Sequence, residues 1–370
     1  MKKQKLLLIG VEPNSLVNFR GELIKAFKNS GKTVITVSLP LSGEQEKYFL
    51  KEKINHVSIF FQRNSLNPIA DLKLFLSMFR LYRQQKPDAI LAYTVKPVIW
   101  GGIAARLKSV KFYALITGLG FAFQGNSYKR KLLTKFVSFL YKFALKDSKA
   151  VIFQNIDNRN LFVKKGIIGL SKTHVINGSG VDIEKYDIED FPNGNIVFLC
   201  ISRLLGEKGL REYAAAAKIV KNKFPNVEFH IVGLEDSSPD AISLDEVDNW
   251  SKFINYKGST NNVQKYIKES HVYVLPSYHE GLPRSTLEAM SMGRPIITTN
   301  AVGCKETVEE GVNGFKVPVK SPERLAEKMI WFIENDNEIK NMGLESRRMV
   351  EDKFDVHKVN KKILQIMGVK

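Results

Sequence analysis

Short apolar stretches alternate with amphipathic ones along the first half of the chain. The short stretches are rich in Leu, Ile and Val, and continuous apolar runs of this kind are typical of strands buried on both faces of a parallel sheet. We predict strands over residues 5–11, 33–39, 56–60, 89–93, 113–117, 150–154 and 174–177. Helical periodicity over residues 20–29, 72–83 and 129–146 completes the alternation that is typical of a doubly wound α/β sheet.

The same pattern begins again in the second half. Strands are predicted over residues 195–202, 228–232, 271–276 and 295–299, with a helix over 211–223 and a helical segment over 321–369. Between the halves, near 186–195, Pro192, Asn193 and Gly194 favour a linker. We therefore predict two similar α/β domains, the first over residues 1–188. Two such sheets facing each other would bind a ligand at the carboxyl ends of their strands.

Composition places the protein among ordinary globular proteins. Its 370 residues suit two domains, and 44% hydrophobic with 25% charged residues excludes a disordered chain. Cys200 and Cys304 form no C-x-x-C motif, so a reducing compartment is expected. The first apolar run stops at Glu12 and Pro13, which favours a strand over a signal peptide. No apolar run reaches the roughly 20 residues of a spanning helix, so we expect a cytoplasmic protein, peripheral on the inner face of the cell membrane.

The positive charge of the chain is concentrated in one half. Residues 1–190 contain 31 lysines and arginines and 14 aspartates and glutamates, a balance of +17, whereas residues 191–370 contain 25 and 24, a balance of +1. A basic half suits nucleic acid, an anionic membrane leaflet or a phosphorylated substrate. A codon bias toward lysine is the alternative, but such a bias would raise lysine in both halves alike.

Residues 275–299, L-P-S-Y-H-E-G-L-P-R-S-T-L-E-A-M-S-M-G-R-P-I-I-T-T, combine the end of a strand with the start of a helix. The chain is expected to turn at Glu280 and Gly281, and the helix is expected to open with Pro283 in its first turn. The free N–H groups and positive dipole at that helix terminus suit a phosphate. Carboxylates accept hydrogen bonds from hydroxyls, so Glu280 could bind a sugar and Glu288 a ribose diol. The alternative is that both are solvated surface glutamates.

A second polar cluster lies in residues 202–209, S-R-L-L-G-E-K-G, which also follow a strand and precede a helix. Arg203 and Lys208 could both reach a diphosphate, and fixed cations stabilise the charge that develops when a diphosphate loses its sugar. Alone, an arginine and a lysine in a loop more often serve surface solvation. The presence of Glu280 and Glu288 in the same half favours the diphosphate.

These segments together resemble the retaining glycosyltransferases of family 4. Glu280 and Glu288 fit the family's E-x7-E motif. The likeness extends to H-I-V-G at 230–233, N-G-S-G-V-D at 177–182, V-L-P-S-Y-H-E-G-L-P at 274–283 and A-V-G-C-K-E-T-V-E-E-G-V-N-G at 301–314. The resemblance implies a GT-B fold of two facing Rossmann-like domains. The second domain would span 189–354, and a C-terminal helix over 355–370 would cross back to the first.

The resemblance also implies roles for the residues of the donor site. Arg203 and Lys208 would hold the donor diphosphate and act with Glu280, which would contact the transferred sugar. Glu288 would bind the ribose. The backbone beside the donor would be that of Gly281, Leu282 and Pro283. By family analogy the reaction would retain the anomeric configuration, with the departing diphosphate helping to take the proton of the acceptor hydroxyl.

The N-terminal half resembles, more weakly, bacterial transferases that extend undecaprenyl-diphosphate-linked sugars. The stretches that carry this likeness are N-F-R-G-E-L at 18–23, R-N-S-L-N-P at 63–68 and I-T-G-L-G-F-A-F at 116–123. The likeness implies a UDP-sugar donor and a polyprenyl-diphosphate-linked glycan as acceptor, with Asn14, Arg20 and Lys96 as acceptor-side candidates. Many relatives carry a histidine after the fourth strand, where this chain reads Y-T-V-K-P at 93–97.

Residues 128–149 form the most basic stretch of the chain. They contain seven lysines and arginines and one acid, interleaved with Leu, Phe and Tyr at helical spacing. Lys129, Arg130 and Lys131 open this stretch. A helix with one apolar and one cationic face could lie on an anionic leaflet, or it could hold the diphosphate of a polyprenol acceptor. The alternative is a core helix with a solvated lysine face.

Two other classes of function stay open from the sequence. A nucleic-acid-binding protein would explain the basic half, but none of the usual binding motifs occurs, and we expect no nucleic-acid partner. A sugar-nucleotide epimerase can use the same two-domain fold. No two aspartates have the D-x-D spacing with which other glycosyltransferases bind Mg²⁺ or Mn²⁺. We therefore expect a donor site without metal or other cofactor.

Overall fold

The computed structural model describes residues 3–61, 67–119, 123, 128–238 and 240–369, and it divides into two compact units. The first unit comprises Met1–Ser179 and His357–Lys370, and the second comprises Gly180–Val356. Parts of the segments 63–68 and 116–123, which carried the resemblance in the N-terminal half, lie outside the described residues.

The first unit ends at Ser179, before the boundary predicted at residue 188. Hydrogen bonds explain the difference, because they tie the segment after Ser179 to the second unit. The N–H group of Val181 donates to the carbonyl of Phe354 at 2.8 Å, and the hydroxyl of Ser291 donates to the carbonyl of Tyr186 at 2.5 Å. The proline and glycine near residue 192 therefore lie in a loop of the second unit.

The first unit is built on a sheet of seven parallel strands in the order β3-β2-β1-β4-β5-β6-β7. Their bounds are β1 Lys5–Ile9, β2 Thr33–Ser38, β3 Asn55–Ser58, β4 Ala89–Tyr93, β5 Lys111–Ile116, β6 Ala150–Phe153 and β7 Thr173–Val175. Leu8 of β1 is in register with Thr36 of β2 and Leu91 of β4. All seven predicted strands are present. The five inner strands are largely buried and have the continuous apolar runs that coverage on both faces requires, whereas the edge strands β3 and β7 contain half-buried and exposed residues and no fully buried one.

The helices of the first unit's N-terminal part cover both faces of this sheet. They are α1 Pro13–Asn29, α2 Gly43–Lys51, α3 Pro68–Gln85, α4 Gly102–Leu107, which follows a π-helical turn at Pro97–Gly101, α5 Tyr128–Leu145 and α6 Ile156–Lys164. The sequence pattern did not predict α2, which buries only Phe49 and so lacks an apolar stripe. It also began α1 too late, because Pro13 reads as a loop residue although proline is tolerated in a first helical turn.

The second unit contains a six-stranded parallel sheet in the order β10-β9-β8-β11-β12-β13. Its strands are β8 Val197–Ile201, β9 Glu228–Val232, β10 Asn255–Tyr256, β11 Val272–Leu275, β12 Ile296–Thr299 and β13 Gly314–Val317. The edge strands β10 and β13 were not predicted. β10 has only two residues, and β13 begins with a glycine and contains a lysine, so neither has a continuous apolar run.

The helices of the second unit pack around one apolar core. They are α7 Leu210–Lys223, α8 Leu244–Asp248, α9 Val263–Lys268, α10 Arg284–Ser291, α11 Pro322–Glu334 and α12 Asn337–Met349. The last helix, α13 (Val356–Ile366), places Val359 and Ile363 in a core cluster of the first unit, which Met367 joins just after the helix ends. No helix in the described part of the chain is long and apolar enough to span a bilayer.

Acid should destabilise the second unit through His271, which is buried at the start of β11. Its Nδ1 accepts the N–H of Val197 at 3.1 Å. Burial lowers the pKa of His271 below its ordinary 6.5, and the charge of Arg294 lowers it further, although a hydrogen bond with the backbone of Pro192 opposes them. The neutral form is therefore the native one. Neutral His271 makes its full contribution to the stability of the second unit above about pH 6.5. That contribution is lost as the pH falls toward the pKa of His271 in the folded state.

We expect the thermal midpoint of unfolding to be lower at pH 5 than at pH 7. The variant His271→Gln should reduce this difference by about 2–4 °C. Calorimetry across this pH range measures the effect. His174→Gln is the control, since His174 is exposed. If both variants keep the full fall of the unaltered chain, His271 is not the group that titrates.

Candidate active site

The predicted donor residues lie after neighbouring strands of the second unit. Lys208 ends a 3₁₀ turn, Gly206–Lys208, that follows β8, and Glu280 lies between β11 and α10. β8 and β11 are adjacent and parallel, so their carboxyl ends open on the same edge of the sheet. This adjacency, which the sequence does not state, brings two residues 72 positions apart into contact.

Glu280 and Lys208 form a nearly buried ion pair. The Nζ of Lys208 donates to Oε1 of Glu280 at 2.7 Å, and the two side chains are 12% and 17% exposed. The hydroxyl of Ser277 donates to the same oxygen at 3.0 Å. Among the described residues, Oε1 of Glu280 accepts both of these hydrogen bonds. Oε2 of Glu280 is therefore the oxygen that can accept a hydrogen bond from a ligand hydroxyl.

The pair keeps Lys208 charged. Burial alone would lower the pKa of Lys208, but the charge of Glu280 and its hydrogen bond outweigh burial, so the pKa lies above its ordinary 10.5. Lys208 is therefore a fixed cation throughout the neutral pH range. A fixed cation at the edge of a sheet can bind an anion without losing a proton.

Two glycines let the backbone close around this pair. Gly209 has φ +72°, and a Cβ atom there would lie 2.1 Å from the carbonyl oxygen of Pro276. Gly303 has φ +83°, and a Cβ atom there would lie 2.3 Å from the carbonyl oxygen of Glu280. Any larger residue at either position would push the loop of Glu280 away from Lys208.

Arg203 is held by an acidic partner that the sequence analysis missed. Its Nη1 pairs with the carboxylate of Asp236, which follows β9. Burial would raise the pKa of Asp236, but hydrogen bonds from the hydroxyl and amide of Ser238, with the charge of Arg203, lower it overall. The Arg203 side chain is still 41% exposed. Asp236 therefore orients a guanidinium that keeps donors for a second anion.

Glu288 is buried on the second turn of α10 and belongs to a separate network. The Nε of Arg284 donates to Oε1 of Glu288 at 3.0 Å, and the Nη1 of Arg284 donates to the carbonyl of Gly180 at 2.7 Å. Burial, followed by the charge of Glu288, raises the pKa of Tyr186 above its usual range. Arg284 and Tyr186 were missed by the sequence analysis, although the i, i+4 spacing of Arg284 and Glu288 could have indicated their pairing.

In the described part of the chain, no side chain caps the N-terminus of α10. The helix begins at Arg284, one residue after the predicted Pro283, which occupies the N-cap position. Leu282 and Pro283 are buried, and Gly281 is half-buried. The hydroxyl of Thr286 is also buried, with no hydrogen-bond partner among the described residues. This helix begins four residues after Glu280, and its first N–H groups receive no side-chain cap from the described residues.

The acceptor-side candidates of the first unit have varied surroundings. Arg20 is 3% exposed, and its guanidinium lies 5.1 Å from the centre of the Tyr93 ring. Asn14 is exposed and accepts a hydrogen bond from Gln45 at 2.7 Å. Lys129 and Lys131 are exposed in the first turn of α5, and Arg130 is half-buried. The acceptor-side roles of these residues stay predictions.

The carboxyl end of β4 is the one strained place among these candidates. Thr94 has φ +67°, a left-handed conformation that is unfavourable for a β-branched residue. Its hydroxyl is buried and has no hydrogen-bond partner among the described residues. The neighbouring Lys96 forms an ion pair with Asp71 at 2.7 Å, with side chains 14% and 20% exposed. Strain of this kind often marks a functional site.

The described residues contain no group of three or more His, Cys, Asp or Glu side chains arranged to hold a metal ion. Cys200 and Cys304 are free thiols that are buried, and burial raises the pKa of each to about 12.

Each half of the chain matches a family of known proteins. Residues 182–349 match the family described as glycosyl transferases group 1, and residues 5–155 match the family described as glycosyl transferase 4-like. These two matches cover most of both units.

Two full-length relatives act on similar lipid-linked substrates. The chain is 29% identical over 345 residues, 87% of each chain, to the N,N'-diacetylbacillosaminyl-diphospho-undecaprenol alpha-1,3-N-acetylgalactosaminyltransferase of Campylobacter jejuni. It is 28% identical to the UDP-Gal:alpha-D-GlcNAc-diphosphoundecaprenol alpha-1,3-galactosyltransferase of Escherichia coli, over 95% of this chain and 92% of that one.

The fold is also that of solved glycosyltransferases. The structure of Anabaena HepE in complex with UDP-glucose superposes with a TM-score of 0.80 at 19% identity, over 98% of this chain and 99% of that one. Structures of this kind have the GT-B fold, so the fold class expected from the sequence, with two parallel α/β sheets, is confirmed.

The buried pair of Arg284 and Glu288 yields a stability prediction. Arg284→Ala leaves Glu288 buried without its guanidinium, so we expect it to lower the free energy of unfolding by about 2–4 kcal/mol. Denaturant unfolding measures the change. The double variant Arg284→Ala/Glu288→Gln should lose less free energy of unfolding than Arg284→Ala, because it also removes the buried charge of Glu288. Arg324→Ala is the matched control, since its ion pair with Glu327 is exposed. An Arg284→Ala variant as stable as this control contradicts the prediction.

Proposed function

We propose that this chain, a glycosyltransferase with a group 1 domain over residues 182–349 and a 4-like domain over residues 5–155, moves a sugar from a UDP-sugar to a glycan carried on a polyprenyl diphosphate. Relatives similar over 87% and 95% of this chain are named for undecaprenyl-diphosphate-linked substrates. A glycan of that kind serves the assembly of surface polysaccharide or glycoprotein. The acceptor lipid would hold the enzyme at the inner face of the cell membrane, whose anionic surface the basic first unit suits.

One observation carries the donor half of the proposal, the ion pair of Lys208 and Glu280 beside the uncapped start of α10. The diphosphate would lie against Lys208 and Arg203. The first N–H groups of α10 would donate hydrogen bonds to its remaining charged oxygens. Glu280 would accept hydroxyl groups of the transferred sugar through Oε2. Glu288, whose orientation Arg284 fixes, would accept the ribose diol.

The proposed reaction breaks the bond between the anomeric carbon and the diphosphate oxygen, and a hydroxyl of the acceptor forms a new bond to that carbon on the same face. The proton of that hydroxyl passes to an oxygen of the departing diphosphate, so the anomeric configuration is retained. Negative charge grows on the diphosphate as the bond breaks. Lys208 and Arg203 would stabilise that charge at the moment it develops, which is the largest contribution expected from such a site.

We also propose that this donor site works without a metal ion or other cofactor. The raised pKa of Lys208 supports the proposal, because it supplies a permanent positive charge at neutral pH. Arg203 supplies a second charge that Asp236 orients. These two cations and a helix N-terminus could donate hydrogen bonds to a diphosphate without Mg²⁺.

On the acceptor side, we propose the carboxyl end of β4 as the place where the acceptor hydroxyl is presented. Thr94 supports this assignment through its strained backbone and its buried hydroxyl, for which the described residues supply no hydrogen-bond partner. Lys96 lies two residues further on and could exchange its bond with Asp71 for one with the acceptor. Asn14, Arg20 and the basic first turn of α5 remain further candidates for acceptor contact.

A transfer assay tests this function. The purified chain would be incubated with UDP-N-acetylgalactosamine, UDP-N-acetylglucosamine or UDP-galactose and an undecaprenyl-diphosphate-linked sugar, with and without EDTA. We expect one donor to be used, retention at the anomeric carbon, and equal rates with and without EDTA. Conversion of the UDP-sugar without an acceptor would indicate an epimerase instead, and a rate that EDTA abolishes and Mg²⁺ restores would exclude the metal-free site.

Two variants should separate the roles of the ion pair in the same assay. Glu280→Gln keeps the size of the side chain but removes its charge, and we expect kcat to fall by about 10²–10³-fold. Lys208→Met removes the cation that faces the diphosphate, and we expect kcat/KM to fall by a similar factor. Glu334→Gln, an exposed glutamate on α11, is the control and should keep full activity. Transfer by Glu280→Gln at the unaltered rate contradicts the site.

A further inference from the structure

The outward face of α5 carries large apolar side chains instead of the solvated lysine face that a core helix would present. Tyr128, Leu132, Phe136, Phe139 and Phe143 are between 45% and 84% exposed. An isolated exposed apolar residue is ordinary, but neighbouring exposed apolar residues on one helix face mark an interaction surface.

These five residues form a continuous stripe on the side of α5 opposite its core contacts. At about 100° per residue they fall within an arc of roughly 80°. Val137, Tyr141, Ala144 and Leu145 are buried against the sheet on the other side. The helix therefore has two apolar faces, whereas the sequence suggested one apolar and one cationic face. The second apolar face is the feature that neither the fold nor the donor site explains.

Lysines border the stripe. Lys131, Lys135 and Lys142 are exposed and follow one edge of it, and Lys129 lies at the other edge, on the same estimate of about 100° per residue. Apolar side chains flanked by cations are typical of helices that lie in the interface of an anionic bilayer. The arrangement suits this partner better than an apolar protein surface, which would leave the lysines without counter-charges.

A second helix adds to the same side of the first unit. Ile69, Leu72 and Leu76 of α3 are 66%, 57% and 40% exposed and follow one face of its N-terminal half. Both α3 and α5 pack against the helical segment at residues 97–107, so they flank it on one face of the sheet. The apolar residues of α3 and α5 therefore belong to one side of the unit.

We propose that this side of the first unit, which we call the α3–α5 face, docks on an anionic lipid leaflet by inserting its apolar side chains among the acyl chains and headgroups. The aromatic rings of α5 supply the inserted area, and the bordering lysines bind the headgroup phosphates. The exposed apolar side chains of α3 and α5 and the exposed lysines of α5 define this face without reference to the proposed function. Its use in bringing the enzyme to a lipid-linked acceptor rests on the proposed function.

The position of the face fits that use. α3 and α5 both start beyond the carboxyl ends of strands of the first sheet, β3 and β5. Thr94 and Lys96 lie at the carboxyl end of the neighbouring strand β4, and Asp71 in the first turn of α3 pairs with Lys96. A leaflet held along α5 and at the N-terminal half of α3 would therefore extend to the edge that we assign to the acceptor.

Vesicle sedimentation tests the inference. The full chain would be mixed with vesicles of phosphatidylglycerol and phosphatidylethanolamine, or with neutral vesicles of phosphatidylcholine. Phe136→Ser/Phe139→Ser should lower the partition coefficient on the anionic vesicles by about tenfold or more, because two rings no longer insert. The matched control is Leu50→Ser/Leu170→Ser, which removes two equally exposed apolar residues outside the face and should bind as the unaltered chain does.

Fluorescence distinguishes insertion from simple charge attraction. A tryptophan introduced by Phe139→Trp should shift to shorter wavelength on anionic vesicles and be quenched by brominated acyl chains, whereas Leu170→Trp should show neither change. Lys131→Gln/Lys135→Gln/Lys142→Gln should bind more weakly and lose most of its sensitivity to salt. Binding that salt abolishes, with no quenching of the tryptophan at 139, would overturn insertion.

The outcomes separate this inference from the proposed function. Loss of vesicle binding by Phe136→Ser/Phe139→Ser, with unchanged transfer to a short-chain water-soluble acceptor, supports the inference. Undiminished vesicle binding overturns it and leaves the proposed function standing. Loss of vesicle binding in a chain that transfers no sugar supports the face and contradicts the function. A dimer in solution that Phe136→Ser/Phe139→Ser converts to a monomer, without vesicle binding by the unaltered chain, assigns the face to a second copy and overturns the inference.

Discussion

The ion pair between Lys208 and Glu280 is the interaction on which the proposed donor site depends. Two charges this well buried are stable only together, because each alone would pay the cost of leaving water without the attraction of the other. Their 2.7 Å contact requires β8 and β11 to be neighbours in the sheet, and it requires glycine at 209 and 303, where a Cβ atom would collide with the backbone. The fold of the second unit therefore places one cation and one carboxylate at the same edge of its sheet, next to a helix N-terminus.

The two halves of the chain differ in charge. The second half of the chain is almost neutral, and each of the two cations of the proposed donor site has its own carboxylate partner, Glu280 for Lys208 and Asp236 for Arg203. Such fixed, paired cations suit one small anionic ligand. The first half carries the excess of +17 in exposed lysines and arginines, together with the outward apolar stripe of α5. A diffuse cationic surface with exposed rings suits an extended anionic partner such as a leaflet, where many weak contacts add up.

The sequence predicted the parallel sheets well because a strand buried on both faces leaves an uninterrupted apolar run, as in β1 and β8. It could not predict β10, which has only two residues, or β13, which begins with a glycine and contains a lysine. For the donor site, the loop motifs indicated Glu280, Lys208, Arg203 and Glu288. The partners Asp236 and Tyr186 were missed because they come from distant segments that only the fold brings near. The second apolar face of α5 was missed because the sequence shows only which residues of the helix are apolar. Which of those residues are buried and which face solvent depends on how the helix packs in the fold.

The proposed donor site requires that Lys208 and the start of α10 bind a diphosphate without a metal ion. Calorimetric titration of the purified chain with UDP and with uridine, both in EDTA, tests it most directly. We expect UDP to bind at least about tenfold more tightly than uridine, and Lys208→Met to remove most of this difference while leaving the affinity for uridine unchanged. Equal affinities for UDP and uridine, or a preference for UDP that survives Lys208→Met unchanged, would contradict it.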